Sequence, residues 1–296
     1  MLSILIPTYN YDCTELVFEL SRQCVNQSID FEILVIDDGS RLFQSQNQAI
    51  NSLAFSSYEI LPENVGRSRV RNLLAQKAKF ENLLFLDSDV MPTSTEFIGN
   101  YLGEIGGEKV ISGGLTYDQK KPATEFMLRW KYGHQREARS VEVRSGIPHQ
   151  ALLSSNFMIS KSVMQRVPFN ENLPNLRRED TLFSYDLMKR KIEVVHIDNP
   201  VMHLGVDSFE VTIQKEHESL TGLKYIYDHQ LIADDYFKLL ELYSVLRKRR
   251  LTSAFAFLFR KFRSKMLKNL ASDDPSLKIF DLYRIGFLCQ ISQNET

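Results

Sequence analysis

Short apolar runs alternate with segments of helical periodicity along the N-terminal third of the chain. The apolar runs predict strands at residues 2–6, 32–36, 58–61 and 82–86. The segments between them predict helices at residues 14–24, 44–54 and 66–79, and Thr14 is expected to cap the first helix. Strands that alternate with helices imply right-handed crossovers and a mostly parallel sheet. The pattern therefore predicts an α/β fold with a central sheet flanked by helices.

Polar clusters directly follow three of the predicted strands. They are Pro7-Thr8-Tyr9-Asn10, Asp37-Asp38-Gly39-Ser40 and Asp87-Ser88-Asp89. In open parallel sheets, ligands bind beyond the carboxyl ends of the strands, at the point where the strand order reverses. We therefore expect the three clusters to contribute to one binding site.

Asp87 and Asp89 offer two carboxylates after the most apolar predicted strand. Carboxylate oxygens are hard ligands suited to Mg²⁺ or Mn²⁺, and such an ion can bridge a diphosphate. A solvated turn after a strand is the alternative explanation. Asp37 presents a similar choice. Its carboxylate could accept a hydrogen bond from the imide N–H of a uracil, or it could belong to a tight turn that Gly39 permits.

A predicted helix begins near Gly66, in a segment that also contains Asn64 and Arg71. Unpaired backbone N–H groups and the helix dipole favour an anion at such a position. These three residues are therefore candidates for binding a phosphate-containing ligand. The alternative is an exposed basic helix face, particularly for Arg67 and Arg69.

The clusters resemble, in order and spacing, the motifs of family 2 glycosyltransferases with the GT-A fold, of the type found in bacterial glycan biosynthesis. The motifs are Pro7-Thr8-Tyr9-Asn10, Val35-Ile36-Asp37-Asp38-Gly39-Ser40, Asn64-x-Gly66-x-x-x-x-Arg71-Asn72 and Leu86-Asp87-Ser88-Asp89. The resemblance extends over about residues 2–205. It implies a nucleotide-diphosphate sugar donor, with UDP as the favoured nucleotide. The chain departs from the family pattern at Arg69, where members usually have a small residue.

The resemblance also implies roles for individual residues at the donor. Thr8, Tyr9 and Asp38 are expected around the base and ribose, and Asp37 at the uracil edge. Asp87 and Asp89 are expected at the ribose and the metal ion. Gly113-Gly114 and Ser154-Ser155-Asn156-Phe157 resemble the floor under the donor sugar, which makes Gly114 and Asn156 candidate donor contacts. Ordinary turns are the alternative for these last two segments.

The acidic pair Glu179-Asp180 opens a predicted helix in the second half of this region. In the resembled family, an acidic pair at this place provides the general base of an inverting displacement. We prefer Asp180 to Glu179 as that base, and acids that complement the helix dipole are the alternative. His203 resembles the late histidine that completes the metal shell in many GT-A enzymes. His196 is its nearest rival, and a structural histidine is the alternative.

Length and composition fit this interpretation. The chain has 296 residues, of which 43% are hydrophobic, enough for one large α/β domain with an appendage. We predict a catalytic domain at residues 1–207, with a donor half at about 1–112 and an acceptor half at 113–207. Residues 208–296 are predicted to form a helical C-terminal extension. The polar segment at 116–150, which contains the lone Trp130, is either an acceptor-binding insertion or a mobile surface loop.

Basic residues are concentrated between Arg247 and Lys268. This segment has nine Lys or Arg and no Asp or Glu, while the rest of the chain has 27 basic against 37 acidic residues. Its apolar residues recur at helical intervals, at Leu251, Phe255, Leu258, Phe259, Phe262 and Met266. The pattern predicts a basic amphipathic helix at 247–268 that contacts an anionic membrane surface. A helix packed on the catalytic domain, with its basic face solvated, is the alternative.

The remaining features bear on location and partners. Cys13, Cys24 and Cys289 fit free thiols in a reducing compartment, because they have neither metal-type spacing nor an even number. The sequence contains no signal-peptide pattern and no apolar run near the roughly 18 residues of a membrane span. These features predict a cytoplasmic protein, peripheral at the inner face of the cell membrane. The formal charge of −1 suggests no nucleic-acid partner, and the sequence indicates no particular oligomeric state.

The predicted function is transfer of a sugar from a nucleotide-diphosphate donor to a hydroxyl group of a glycan or lipid-linked glycan. The transfer is expected to proceed with inversion and to require Mn²⁺ or Mg²⁺. One alternative is a nucleotidyltransferase on a similar sheet, but no Gly- and Lys-rich loop follows Ile6. The other is a catalytically degenerate carbohydrate- or membrane-binding protein that keeps only the fold.

Overall fold

The computed structural model describes residues 1–293, which fall into two compact units. Unit 1 comprises residues 1–118, 138–172 and 179–205. Unit 2 comprises residues 119–137 and 173–178 together with the chain from Val206 onward. The predicted domain boundary after residue 207 and the predicted donor and acceptor halves stay predictions.

The strands all belong to unit 1. They are β1 (Leu2–Thr8), β2 (Phe31–Asp37), β3 (Ser56–Ile60), β4 (Asn82–Leu86), β5 (Val90–Pro92), β6 (Lys109–Ser112), β7 (Leu115–Thr116), β8 (Asn156–Ser160), β9 (Glu193–His196) and β10 (Val201–His203). Within the described residues, the main sheet has seven strands in the order β3-β2-β1-β4-β8-β6-β9. All of its neighbouring strands are parallel except at β8, which runs antiparallel to β4 and to β6. The mostly parallel sheet is therefore as predicted.

The helices lie in both units. They are α1 (Thr14–Asn26), α2 (Gln44–Asn47), α3 (Arg67–Lys77), α4 (Phe97–Leu102), α5 (Met127–Tyr132), α6 (Val141–Ser145), α7 (Lys161–Arg166), α8 (Glu179–Lys189), α9 (Phe209–Asp228), α10 (Lys238–Lys248), α11 (Thr252–Leu270) and α12 (Leu277–Ile291). Short 3₁₀ turns follow α2 at Gln48–Ser52 and precede α5 at Thr124–Phe126, and a π-helical turn follows α5 at Gly133–Glu137.

Two local predictions are wrong. The helix predicted at residues 44–54 is one α-helical turn, α2, followed by a 3₁₀ turn. Thr14 does not cap α1, because Cys13 occupies the cap position and makes no side-chain capping bond. Instead, the hydroxyl and backbone N–H of Thr14 both donate to Asp12 Oδ1, at 2.7 and 3.0 Å. Asp12 therefore satisfies a backbone donor at the start of α1.

The main sheet is covered on both faces. Leu2, Ile4 and Ile6 of β1 pack in the same apolar cluster as the buried side of α1. Leu5 points the other way and packs with Val70 and Leu74 of α3, in a second cluster. Strands buried on both faces read as continuous apolar runs rather than as alternating patterns. This burial explains why β1 and β4 were recognisable in the sequence.

Unit 2 has its own apolar core. Phe259 of α11, Phe280 and Tyr283 of α12, and Ile213 of α9 belong to one buried cluster. Gly286 of α12 lies against the Phe259 ring, and a β-carbon added at Gly286 would come within 2.6 Å of that ring. A larger residue there would therefore collide with Phe259. Among the residues that the structure describes, no helix is long and apolar enough to cross a membrane.

Candidate active site

The strand order of the main sheet reverses at β1. β1 pairs in parallel with β2 on one side and with β4 on the other, although β4 comes later in the chain than β3. The loops after β1, β2 and β4 therefore leave the same edge of the sheet, on either side of the switch point. These loops contain the three polar clusters of the sequence. Their predicted convergence is correct at the level of topology.

The loop after β1 is fastened to the loop after β2. Asn10 adopts a positive φ of 52°, and its side-chain oxygen accepts hydrogen bonds from the backbone N–H groups of Arg41 and Leu42, at 2.8 and 3.1 Å. Its own N–H donates to Ser40 Oγ at 2.6 Å. Pro7 and Thr8 lie within β1, and Tyr9 is exposed on the loop. Asn10 therefore holds the loop that presents the Tyr9 ring.

Asp37 ends β2 and is fully buried. One of its carboxylate oxygens accepts the backbone N–H of Ser40 at 2.7 Å, and the other accepts the hydroxyl of Tyr58. Burial, and then the bond to this carboxylate, raise the pKa of Tyr58 well above its usual range. A uracil edge at Asp37 would meet a carboxylate that already accepts these two hydrogen bonds. The predicted base contact of Asp37 stays a prediction.

Asp38 occupies the anion position at the start of α3. Its two carboxylate oxygens accept the backbone N–H groups of Val65 and Gly66, at 2.6 and 3.0 Å. Burial raises the pKa of Asp38 and opposes the effect of these two donors. The Asp38 carboxylate thus lies just before α3, and the predicted binding of a ligand anion at this helix start stays a prediction.

The neighbouring backbone segments approach each other closely beside Asp38. Gly39 adopts a φ of 73°, and an added β-carbon would lie 2.8 Å from the carbonyl carbon of Glu63. Only glycine fits there without displacing the backbone. Asn64 is exposed, and its side-chain amide donates to the Asp38 carbonyl at 3.2 Å.

Arg71 joins two motifs that are far apart in the sequence. From α3, its guanidinium contacts Asp87 Oδ1 at 2.8 Å and Glu179 Oε1 at 3.0 Å. The Arg71 side chain is 5% exposed, against 33% for Asp87 and 11% for Glu179. Burial by itself would lower the pKa of Arg71, but the two carboxylates outweigh burial and raise it. This cluster connects the loop after β4 to the first turn of α8.

Asp89 lies beside His203. β5 pairs antiparallel with β10, and the register sets Val90 opposite His203. His203 Nε2 is 3.4 Å from Asp89 Oδ2, and the imidazole stacks on Tyr117 with 5.5 Å between ring centroids. His203 Nδ1 is buried and has no hydrogen-bond partner. The two rings and the carboxylate form a small group of polar ligands at the sheet edge.

The predicted three-residue metal set is not assembled. Among residues 1–293, no three His, Cys, Asp or Glu side chains are grouped so that they could hold a metal ion. Asp89 and His203 are adjacent, but the Asp87 carboxylate is directed to Arg71. Ser88 lies half-buried between the two aspartates. Only two of the three predicted ligands are therefore close together.

Asp180 differs from Glu179 in its partners. Asp180 Oδ1 accepts the backbone N–H of Thr181 at 2.7 Å, within the first turn of α8. Its side chain is half-buried rather than enclosed. Glu179 is instead bound to Arg71. The two acids thus share a helix start but have different electrostatic surroundings.

Asn156 belongs to a buried network rather than to an open surface. Its amide nitrogen donates to the carbonyls of Gly114 and Asn199, at 2.8 and 3.0 Å, and its oxygen accepts the Tyr101 hydroxyl at 2.7 Å. Gly114 has a φ of 91° and lies against the Arg144 guanidinium. These contacts give Asn156 and Gly114 a structural role, and their predicted contact with the donor stays a prediction.

His196 is fixed in the same region. Arg144 donates to His196 Nδ1 at 2.9 Å, and His196 Nε2 contacts the Pro148 carbonyl at 2.9 Å. Burial lowers the pKa of His196, and the neighbouring Arg144 adds to this effect. Both ring nitrogens of His196 are used, so of these two histidines we keep His203 as the candidate metal ligand.

Comparison with protein families decides the class of this molecule. Residues 3–167 match the model of glycosyl transferase family 2. The chain belongs to this family. A relative from Haemophilus influenzae, an uncharacterized glycosyltransferase, is 27% identical over 205 residues, which cover 64% of this chain and 72% of the relative. The protein is therefore a glycosyltransferase, as the motifs predicted.

Solved structures show the same fold. The mannosyltransferase PcManGT from Pyrobaculum calidifontis, in complex with GDP-Man and Mn²⁺, is similar with a TM-score of 0.58 and 13% identity, over 99% of this chain and 86% of that chain. S. aureus TarS 1–349, in complex with UDP-GlcNAc, is similar with a TM-score of 0.51 and 18% identity, over 99% of this chain and 91% of that chain. This chain covers 43% of a longer TarS chain, with a TM-score of 0.49 and 20% identity over 76% of this chain. The predicted GT-A fold is confirmed.

Three residues of the site were not singled out in the sequence. Tyr58 binds Asp37, Tyr117 stacks on His203, and Arg144 fills the space beside Gly114. None lies in a motif. A tyrosine within a strand and an arginine in a polar segment give no signal that separates them from surface residues.

Proposed function

We propose that this glycosyltransferase moves a sugar from a UDP-sugar to a hydroxyl group of a glycan or lipid-linked glycan, with inversion at the anomeric carbon. The proposal is supported above all by Arg71. Its contacts to Asp87 and Glu179 connect the strand-end motif with the acidic pair of α8, although these are 92 positions apart in the chain. A donor at the strand ends would therefore lie near the first turn of α8.

Donor binding is assigned to the loops at the switch point. Tyr9 and Thr8, with Pro7 and Asn10 in the same segment, would face the base and ribose. Asp37, Asp38, Asn64, Gly66 and Arg71 support this surface through their bonds to neighbouring backbone and carboxylates. Ser88 and Asp87 would flank the ribose. UDP is favoured by the motif set, and the similar TarS structure contains UDP-GlcNAc.

Asp89 and His203 would hold a divalent cation. His203 Nε2 and Asp89 Oδ2 lie 3.4 Å apart, so an ion beside them could contact both atoms. Carboxylate oxygen and imidazole nitrogen suit Mn²⁺, and Mg²⁺ also binds through few protein ligands together with phosphates. The similar PcManGT structure contains Mn²⁺. When bound, such an ion supplies charge neutralisation for the departing diphosphate. Asp87 would contribute less, since Arg71 already binds it.

Asp180 is assigned as the general base. A direct displacement needs a carboxylate that takes the proton from the acceptor hydroxyl as the hydroxyl oxygen attacks. Glu179 is held in position by the buried guanidinium of Arg71. Asp180 is half-buried at the start of the same helix, next to this fixed carboxylate, and accepts the backbone N–H of Thr181. We assign Glu179 the task of orienting α8.

Peripheral attachment at the inner face of the cell membrane belongs to the same proposal, since a lipid-linked acceptor lies at a membrane surface. The segment at 247–268 is not one continuous helix, because α10 ends at Lys248 and α11 begins at Thr252. Any membrane contact therefore depends on the separate surfaces of these helices.

The proposal can be tested by donor screening and product analysis. Nucleotide sugars are screened by thermal shift with and without Mn²⁺, since a ligand at a hundred times its dissociation constant adds about 2.7 kcal/mol of stability. We expect UDP-sugars to stabilise the protein more when Mn²⁺ is present. The anomeric configuration of the transferred sugar is then read by NMR. Retention of configuration, or stabilisation by purine nucleotides alone, would contradict the proposal.

A further inference from the structure

α11 has two apolar stripes on opposite sides. The inward stripe contains Ala256, Phe259 and Leu270, which are buried. Phe259 is only 2% exposed and packs against α12. This stripe is fully used by the core of unit 2 and explains why α11 folds where it does.

The second stripe faces outward. Phe257, Leu258 and Phe262 are 59%, 47% and 38% exposed, and their spacing puts them on the side of the helix away from Phe259. Lys261 and Lys265 lie on the same side, and their ammonium nitrogens are 5.7 and 6.0 Å from the centre of the Phe262 ring. We call these five residues the outer face of α11. It is an apolar surface interleaved with positive charge.

The sequence prediction did not distinguish these stripes. It named Phe259 and Met266 among the apolar positions of the membrane helix, but Phe259 is buried and Met266 packs against the unit 2 core. Phe257, the most exposed aromatic residue of α11, was not named. The outer face therefore shares Leu258 and Phe262 with the predicted stripe, but it includes Phe257 and excludes Phe259 and Met266.

The chemistry of the outer face fits an anionic lipid surface. Aromatic and aliphatic side chains can enter the boundary between headgroups and acyl chains, while lysine stems follow apolar surface and keep their ammonium groups at phosphate level. α11 carries Arg260, Lys261, Arg263, Lys265 and Lys268 and no acidic residue. These positive charges favour a partner whose negative charges are spread over a surface, as in an anionic membrane.

We propose that the outer face of α11 binds the surface of anionic membranes. The proposal assigns specific residues to the membrane contact proposed above. Its biological purpose rests on the proposed function, because a lipid-linked acceptor would lie at such a surface. Binding itself follows from apolar insertion combined with electrostatic attraction. Neither contribution needs the donor or the metal ion.

The test uses the full chain and sedimentation with vesicles. One preparation contains phosphatidylcholine alone, and the other contains phosphatidylcholine with phosphatidylglycerol. We expect binding to the anionic vesicles and a loss of affinity as salt rises. Lys261→Gln with Lys265→Gln should weaken binding about 30-fold at low salt, the size expected for two charges. Phe257→Ser with Phe262→Ser should weaken it at least about tenfold at every salt concentration.

Phe18→Ser is the matched control, because Phe18 is 43% exposed on α1 and lies outside the basic segment. It should bind vesicles like the unchanged protein. Thermal unfolding verifies that every variant folds. Equal binding to neutral vesicles, or full binding by the Phe257 and Phe262 double variant, would overturn the proposal. So would a dimer in lipid-free solution that the double variant abolishes, because a second copy would then cover this face.

Donor hydrolysis is measured in the same samples without vesicles. If the unchanged protein binds vesicles but does not hydrolyse UDP-sugars, the proposed function is contradicted and the outer face proposal stands. If the protein hydrolyses UDP-sugars but does not bind vesicles, the outer face proposal is contradicted and the proposed function stands. The two proposals therefore fail separately.

Discussion

The two acidic pairs of the site, Asp87 with Asp89 and Glu179 with Asp180, are divided in the same way. One member of each pair binds the buried Arg71, and the other does not. Asp89 lies beside His203, and Asp180 accepts a bond from the start of its own helix. Residues of the same type, within two positions of each other, thus acquire different chemistry from their surroundings.

The difference follows from where the positive charge is placed. A carboxylate bound to a buried guanidinium stays in position, because moving it would leave both charges unpaired. Asp89 and Asp180 are directed elsewhere, to His203 and to the backbone of α8. The Arg71 cluster therefore connects the loop after β4 to α8, and we assign the chemistry to Asp89 and Asp180.

The largest expected effect separates Asp180 from Glu179. Asp180→Asn keeps the shape of the side chain but cannot take a proton at neutral pH. Turnover should fall about 10²- to 10⁴-fold while UDP affinity changes by no more than a few fold. Initial rates and UDP titration provide the measurement. Glu179→Gln is the paired variant and should be milder in rate. The reverse ranking would move the base to Glu179 and contradict the division described here.

Removal of Arg71 tests the structural half of the comparison. Arg71→Met leaves Asp87 and Glu179 without their shared cation and should lower the free energy of unfolding by about 3–5 kcal/mol. Urea denaturation measures this change. Arg69→Met is the control, because Arg69 is exposed and lies 3.6 Å from Glu171. Its loss should cost less than about 1 kcal/mol. Equal losses of unfolding free energy in the two variants would show that the Arg71 cluster stabilises the fold no more than an exposed ion pair does.

Substitutions of Asp89 and Asp87 should differ in how much they reduce the Mn²⁺-dependent part of UDP affinity. Asp89→Ala should remove the Mn²⁺-dependent part of UDP affinity, a loss of at least about tenfold. Asp87→Asn should change that part less, since Arg71 already binds this carboxylate. Calorimetric titration of UDP with and without Mn²⁺ gives the two values. Unchanged UDP affinity of Asp89→Ala in saturating Mn²⁺ would remove Asp89 from the metal site.

Asp37 offers a carboxylate anchored by neutral donors instead of by Arg71. Asp37→Ala leaves the buried Tyr58 hydroxyl and the Ser40 N–H without their acceptor, at a cost of about 1–3 kcal/mol in unfolding free energy. UDP affinity should fall with or without metal if Asp37 also contacts the base. Equal losses for UDP and for a nucleotide without a pyrimidine would leave only the structural role.

The smallest expected effect concerns His196. Burial lowers its pKa in the folded protein, so below about pH 6.5 the unfolded chain binds a proton that the folded chain excludes. Unfolding free energy should therefore fall as pH decreases through that region, by at most about 1.4 kcal/mol per pH unit for one histidine. Burial also lowers the pKa of His217 in unit 2. NMR titration of the two imidazoles separates them, and a His196 pKa at or above 6.5 would contradict the prediction.

The sequence alone determined the layout of the catalytic fold. β1, β2 and β4 were recognisable because strands buried on both faces are continuous apolar runs. The polar residues after those strands could be assigned to one edge, since parallel strands bring their carboxyl ends together. The ordered motifs then identified the family. All of this information lies in short segments and their order.

Only the tertiary structure decided which of these residues contact each other. Arg71 meets Glu179 across 108 positions, and no local pattern specifies that contact. His203 rather than His196 lies beside Asp89, because strand register and the Arg144 bond set the two histidines apart. On α11, packing against α12 buries Phe259 and leaves Phe257 outward. Helical periodicity predicts that a helix has faces, but the neighbours it packs against decide which face meets solvent.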